Sequence, residues 1–536
     1  MRLVANYASI TQMSFRNLIL ALTFLAIFVM GLRPSIDTDT WWQLRTGELI
    51  AQQRAIPTTD SFSFTREGQA WRYPSSAWLM ELKLHFIYEW FGAGGLNIWM
   101  ATMITLAFAF VYLAMSGGGF MRAFVLVLAT AVSGVYWAAR PYMATFVFSA
   151  IFLWILEDFR WKRPSPPASL VAARGGSLGT GSLLQSRRGV PGQMRSPRRL
   201  IWLPILMALW VNSHPGFAMG FILIGTYFVD ELLRWLSANW PLKRAKVRKA
   251  IRGRLGILLL VIVGMVVAAC LNPTGPAIFQ YPFETVSIGV LRDYIQEWQS
   301  PNFHLIAAQP FIWLLLLTLA AVGLARKRIA LSDFLLVGVS VYLTLLAGRN
   351  MPLFALAAPI VLSRYATPVI EEIRKALKWR NRTRPASTGR MQSVLNITIV
   401  LVLGVVVLVR AWMVTPEPVN EADFALDAPV GAVEYIKEHQ PAGRLFNSYN
   451  WGGYLIWNLR DYPVYVDGRT DLYSDGLLRE WLSTVNANAG WDSALRRWDI
   501  RLVLIEPEWP LARILPNEGW QLLYEDEHSV LYGRPQ

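Results

Sequence analysis

Long apolar runs separated by short polar or basic stretches occupy the first three quarters of the chain. Those at 15–33, 96–115, 120–137, 141–157, 216–236, 255–271, 305–325, 330–348 and 393–412 approach the roughly 20 residues a helix needs to cross about 30 Å of hydrocarbon. Two further runs, 200–212 and 351–366, are short, as tilted or re-entrant segments are. The pattern predicts a polytopic α-helical membrane protein of about 11 transmembrane helices over residues 1–412. From 413 the period changes. "GAVEYIKEHQ", "SDGLLREWLSTV" and "GWDSALRRW" have helical spacing, whereas "GRLFNSY", "YPVYVDG" and "IRLVLIEP" read as strands and "WQLLYEDEHSVLYGR" as a terminal hairpin. Residues 413–536 are therefore expected to form a small extracytoplasmic α/β domain.

Composition supports the membrane assignment: of 536 residues, 54% are hydrophobic and 16% charged. The net charge of +15 sits mainly in blocks between apolar runs, such as "KRAKVRKAIRGR" and "RKALKWRNRTR". With eleven spans and a cytoplasmic N-terminus every such block faces the cytoplasm, so the positive-inside rule explains the charge without a nucleic acid. The same count leaves two large outer loops, 34–94 and 272–304. The basic 158–200 loop, rich in Ser, Gly, Pro and Arg over 164–197, is expected to be disordered. Residues 1–32 read as an uncleaved first helix. The single Cys270 excludes an intrachain disulfide framework. No phosphate-binding glycine loop is present in a strand-to-helix context, so no nucleotide cofactor is expected.

Polar signatures gather at the outer helix ends. Asp37 and Asp39 in "SIDTDTWWQL" offer two hard oxygen ligands for a divalent cation, Mg or Mn, or a carboxylate that takes a proton from an acceptor. Helix capping is the competing reading, with Thr40 and Gln43 as a capping box. Glu297 in "YIQEWQ" completes the acidic set or is a solvated loop residue. Arg140 and Arg349 border apolar segments, where an Arg holds phosphate or snorkels to the interface. His214 in "VNSHPG" reads as a substrate contact or a hydrogen-bonded turn residue, and Asn272-Pro273 as a helix stop. In the C-terminal domain "YNWGGY" places Gly452 and Gly453 between Trp451 and Tyr454, letting the backbone turn sharply or approach a ligand. Asp467, Arg469 and Asp471 follow a buried run, either as a ligand site or as a stabilising turn.

This layout resembles the GT-C fold membrane glycosyltransferases, notably oligosaccharyltransferase catalytic subunits and bacterial transferases using lipid-linked sugars. "DTDTWWQLRTGELI" is similar in place and pattern to their first-loop acidic motif, and "YNWGGYL" more loosely to a Trp-Trp-Asp-Tyr-Gly acceptor motif. The resemblance implies Asp37 and Asp39 as base and metal ligand, Glu297 as second-loop partner and third metal ligand, and Trp451 to Tyr454 as an acceptor-side element. It also implies a polyprenyl-linked sugar donor, a protein, lipid or glycan acceptor, and a multi-pass location in the bacterial inner membrane. The chain departs from it where Gly452 or Gly453 replaces the acceptor-motif Asp, and in having fewer spans than oligosaccharyltransferases. A transporter or flippase for a lipid-linked saccharide would use the same basic and aromatic surfaces, but no inverted repeat and no ion-coupling charge in mid-membrane is expected. A non-catalytic scaffold with a partner-binding outer domain is the third reading.

Overall fold

The computed structural model describes residues 13–160, 197–238, 245–377 and 389–535. The expected disordered stretch falls outside the described residues over 164–196. Among the described residues, eight helices are long and apolar enough to cross a membrane: Ser76–Ala114, Gly119–Tyr136, Tyr142–Phe159, Pro215–Ser237, Arg248–Ala269, Ile306–Leu324, Gly348–Ala376 and Arg390–Val414. Phe15–Gly31 and Leu331–Leu346 are shorter apolar helices. The chain is a multi-pass membrane protein.

Every expected apolar run is helical. Of the two short runs, Trp202–Val211 has 10 residues, about 15 Å of helix, and continues the 3-10 turn Pro197–Ile201. The other short run lengthens instead. Met351–Ala376 is one helix of 26 residues despite Pro359 and Pro368 inside it. The expected 34–94 loop is also mostly helical. Thr38–Gln53 is a separate helix, and Pro74–Ala114 continues a membrane helix beyond the apolar run, kinked at Gly92 with φ 60°. The Glu417 carboxylate accepts from the Ala93 amide at 3.2 Å, within the turn that the kink disrupts.

Charges also gather at the end of the bundle opposite the first loop, at the end of Tyr142–Phe159 and the start of Leu331–Leu346. Glu157 and Asp333 are buried against Arg160 and Arg364. Asp333 accepts from Tyr365 at 2.9 Å and Glu157 from Tyr227 at 2.7 Å. Two acids against two guanidiniums make the cluster formally neutral and fully partnered, as a structural ion-pair network requires.

The C-terminal domain carries a four-stranded sheet of order β1-β2-β4-β3, formed by Arg444–Asn447 (β1), Ile500–Ile505 (β2), Gln521–Glu525 (β3) and Val530–Gly533 (β4). β1 and β2 are parallel, and the other pairs antiparallel. "YPVYVDG" does not join it. Its backbone is taken by the first loop: Val464 donates to the Phe62 carbonyl at 3.0 Å and accepts from Phe64 at 3.2 Å.

A buried ion pair closes this joint. Arg469 reaches Asp60 of the first loop and also donates to both Asp467 oxygens, at 2.6 and 2.8 Å. Arg469, Asp60 and Asp467 are all buried, and Arg469 lies over the rings of Phe62 and Trp71. Asp60 accepts further from the Phe62 and Ser63 amides, each at 3.1 Å. The expectation that Asp467 and Arg469 contact substrate finds no open surface here. They hold the domain to the loop.

Removing one partner of such a pair strands the other charges, so Arg469→Ala is expected to cost about 3–5 kcal/mol, read as a lower melting temperature of the detergent-solubilised chain. The helix Gly452–Asn458 packs so closely on Thr38–Gln53 that a Cβ on Gly453 would stand 2.2 Å from the Thr38 carbonyl oxygen, and one on Gly452 2.3 Å from that of Val466. Gly453→Ala is therefore expected to destabilise by about 1–3 kcal/mol. Unchanged melting of either variant would contradict this account of the joint.

Candidate functional site

Four chain segments meet at the end of the bundle beneath the C-terminal domain. The first is the start of Thr38–Gln53. Asp37 is its N-cap: its Oδ1 accepts from the Thr40 amide at 3.0 Å, while Thr40 Oγ1 accepts from the Asp37 amide at 3.2 Å. The capping box is thus Asp37 with Thr40, not Thr40 with Gln43. Capping uses one Asp37 oxygen and leaves the other for the cleft. Asp39, in the first turn, accepts from Trp42 Nε1 at 3.1 Å through Oδ1.

Arg140 arrives on the turn before Tyr142–Phe159. That turn is fastened to the first loop by the Ala139 amide on the Ser35 carbonyl at 2.8 Å, and by Arg33 donating to the Gly134 and Trp137 carbonyls. Its guanidinium lies between the aspartates, with Nε 2.6 Å from Asp37 Oδ2 and Nη1 2.6 Å from Asp39 Oδ2. The Nε contact is ionic rather than a well-directed hydrogen bond. Nη2 lies 3.9 Å from Glu297 Oε2, and Glu297 Oε1 is 3.1 Å from Arg349 Nη1. Arg349 stacks on Trp298 at 4.3 Å, and the Gly348 amide binds the Gln299 carbonyl at 2.8 Å. The side chains of Asp37, Asp39, Arg140 and Glu297 remain 23–28% exposed, so the cluster opens to the outside.

Three carboxylates face two guanidiniums. Burial, reinforced by Asp37 and Glu297, outweighs Arg140 and pushes the Asp39 carboxyl up to about 6. Burial would likewise raise Glu297, but Arg349 and Arg140 prevail and hold it below the usual range. Burial alone would lower the Arg140 pKa. The three acids overcome it and keep the guanidinium firmly charged. His214 is pushed down to about 3, by burial first and then by Arg349 and Arg140. It is a neutral imidazole whose Nδ1 accepts from the Gly216 amide and meets Thr145 Oγ1, both at 2.9 Å. Its nearest role is to hold its own turn. Asn272 caps its turn through the Thr274 amide at 2.8 Å, as a helix stop does.

The C-terminal domain covers the aspartates from above. A Cβ on Gly468 would stand 1.8 Å from Asp39 Oδ1, so only glycine lets the turn between Asp467 and Arg469 lie on this carboxylate. Trp451 is buried and donates to the Asp427 carbonyl at 2.9 Å, while Tyr454 packs against Trp41 and Phe424. Trp451 to Tyr454 therefore dock the domain on the Thr38–Gln53 helix. Tyr73 and Tyr449 also face the cluster, and burial with the nearby carboxylates raises both phenols well above the usual range. Tyr73 stands in no motif that singles it out from sequence, whereas Tyr449 opens the "YNWGGY" stretch. Asp471, buried beside Tyr281, is pushed up to about 6, chiefly by burial.

The implied divalent cation does not fit this arrangement. The Asp37 and Asp39 oxygens that point inward are both occupied by Arg140. Among the described residues, no group of three His, Cys, Asp or Glu side chains is placed to hold a metal ion. A cleft of about 620 Å³ on the C-terminal domain, lined by Phe64, Lys437, Arg444, Arg460 and Tyr462, shares no residue with the cluster.

No family model matches the chain, and no curated protein matches its sequence. Solved structures do. The archaeal oligosaccharyltransferase AglB from Archaeoglobus fulgidus, in complex with an inhibitory peptide and a dolichol-phosphate, aligns at a TM-score of 0.51 and 11% identity, covering 92% of this chain and 70% of that one. The mycobacterial arabinofuranosyltransferase AftD aligns at 0.50 and 14% identity over 98% of this chain, which spans 40% of AftD. ArnT from Cupriavidus metallidurans covers 97% of this chain and 98% of its own at 14% identity, but its TM-score of 0.46 is too low to bear on the fold. With membrane helices in this order, an acidic first loop and a C-terminal α/β region, the chain has the GT-C fold of membrane glycosyltransferases.

Proposed function

We propose that the chain is a membrane glycosyltransferase that moves a sugar from a polyprenyl phosphate or pyrophosphate carrier to an acceptor outside the cytoplasm. One observation carries the reading: Asp37 and Asp39 from the first loop and Glu297 from the second converge, more than 250 residues apart in sequence, on Arg140 with Arg349 alongside. A scaffold has no need to bring these charges together at a partly open surface. Glu157, Asp333, Arg160 and Arg364 pair with one another, as a structural ion-pair network does.

Asp39 is the general base. A carboxylate with its pKa near 6 is ionised at neutral pH yet basic enough to accept a proton in the transition state. It takes the proton from the acceptor hydroxyl or amide. The acceptor's lone pair bonds the anomeric carbon while the bond from that carbon to the carrier phosphate oxygen breaks, its electron pair leaving on the phosphate. Arg349 has five N–H donors and one carboxylate partner within salt-bridge distance, so it retains donors for the leaving phosphate. Exposed Leu345 and Leu346 before it, and Leu305 and Ile306 after the Glu297 turn, offer a lipid-facing apolar approach for the carrier's tail. The reading places the chain in a bacterial plasma membrane with the N-terminus in the cytoplasm.

Radiolabelled sugar transfer from membrane-extracted polyprenyl donors is expected from the wild type and absent from Asp37→Asn/Asp39→Asn. Equal transfer by both would sink the assignment. The kcat/KM of the wild type is expected to rise with pH through about 6, as Asp39 loses its proton. Glu297→Gln removes a neighbouring negative charge that raises this pKa, so the limb should move to lower pH; a fixed limb would assign it to another group. For topology, a cysteine at Asp499 in a Cys270→Ser background should react with membrane-impermeant maleimide in intact cells. Protection until lysis would reverse the orientation.

A further inference from the structure

We propose that Arg140 is the resident cation of this site, its guanidinium standing where the resemblance would put a divalent metal, so that the chain needs none. The mechanistic meaning of this inference rests on the transferase reading above, whereas the position of the charge does not.

The geometry is that of a cation held by two acids. Nε and Nη1 of one planar group face the Oδ2 atoms of Asp37 and Asp39, both at 2.6 Å, and the remaining Nη2 is directed to Glu297 at 3.9 Å. A hard divalent ion binds carboxylate oxygen at about 2.0–2.6 Å, and to reach these same atoms it would have to displace Arg140. Only rotation of the side chain could move the guanidinium aside, because the backbone that carries it is fixed. Its backbone is locked by the Ala139 and Ser35 bond at 2.8 Å and by its own amide on the Ala138 carbonyl, also at 2.8 Å. The second loop adds no free acid, because Glu297 Oε1 is on Arg349. A guanidinium stays charged at any working pH and presents its donors in a fixed fork. It can therefore hold Asp37 and Asp39 in register and offset negative charge arriving with a lipid phosphate, two tasks a metal would otherwise perform.

The probe is Mn²⁺, titrated against the purified full chain in lipid nanodiscs and followed by the electron paramagnetic resonance signal of the free ion. The wild type should bind no more Mn²⁺ than Asp37→Asn/Asp39→Asn. Arg140→Ala, which vacates the space between the acids, should gain one saturable Mn²⁺ site that is lost when Asp37→Asn and Asp39→Asn are added. A saturable wild-type site that disappears in Asp37→Asn/Asp39→Asn would overturn the proposal, as would a folded Arg140→Ala that gains nothing. If Arg140→Ala does not fold, the comparison of wild type with the double Asn variant still decides. Ion binding is read without any sugar transfer. A chain that fails to transfer but shows this Mn²⁺ pattern refutes the transferase reading alone, and a chain whose transfer is abolished by chelation and restored by Mn²⁺ refutes this inference alone.

Discussion

The cover over the acidic cluster depends on the burial of one guanidinium, that of Arg469, between Asp60 and Asp467. Desolvating three charges is costly, and their mutual attraction offsets the cost only with good geometry and further hydrogen bonds. Both are present: Asp60 accepts two backbone amides, and Asp467 accepts from Tyr473. The pair fixes the C-terminal domain on the first loop. As a result Gly468 lies on the Asp39 carboxylate, and Gly453 lies on the first turn of the Thr38–Gln53 helix. What burial does to Asp39 therefore originates in part in a joint that has no contact with a reacting atom.

The cluster below follows a different logic. Its groups come from the ends of membrane helices and the loops between them, so their spacing is set by the packing of the bundle. A buried polar network continues this support. Asn97 links Ser35, next to the aspartates, to the Val414 carbonyl and Asn420 at the start of the C-terminal domain. Partial burial strengthens charge interactions, and the Asp39 and Arg349 side chains remain 24% and 33% exposed.

Much of this was legible in the sequence because hydrophobic length is a strong signal. The apolar runs became helices, and the change of period near 413 is followed by a C-terminal α/β region with a small sheet. Asp37, Asp39, Arg140, Glu297 and Arg349 stood out because charged residues at helix ends are few in so apolar a chain. Three things were not legible. The segment "YPVYVDG" has the alternation of a strand, but its hydrogen bonds go to residues 62–64, a pairing nearly 400 positions apart that local pattern does not encode. Asp60 looked like one more loop acid, since nothing near it announces a partner at 469. The glycines of "YNWGGY" were open to two readings, close approach to a ligand or to backbone. In the structure Gly453 lies against the Thr38 carbonyl and Gly452 against that of Val466.

On the transferase reading, a lipid-borne phosphate meets the chain at the Asp39, Arg140 and Arg349 cluster. The most direct measurement is cross-linking with a diazirine-bearing polyprenyl phosphate in native membranes, with the adducts mapped by mass spectrometry. The account predicts adducts within residues 137–145, 295–306 and 345–352, competed away by unlabelled polyprenyl phosphate. Adducts confined to the opposite end of the bundle, around Glu157 and Asp333, would contradict it.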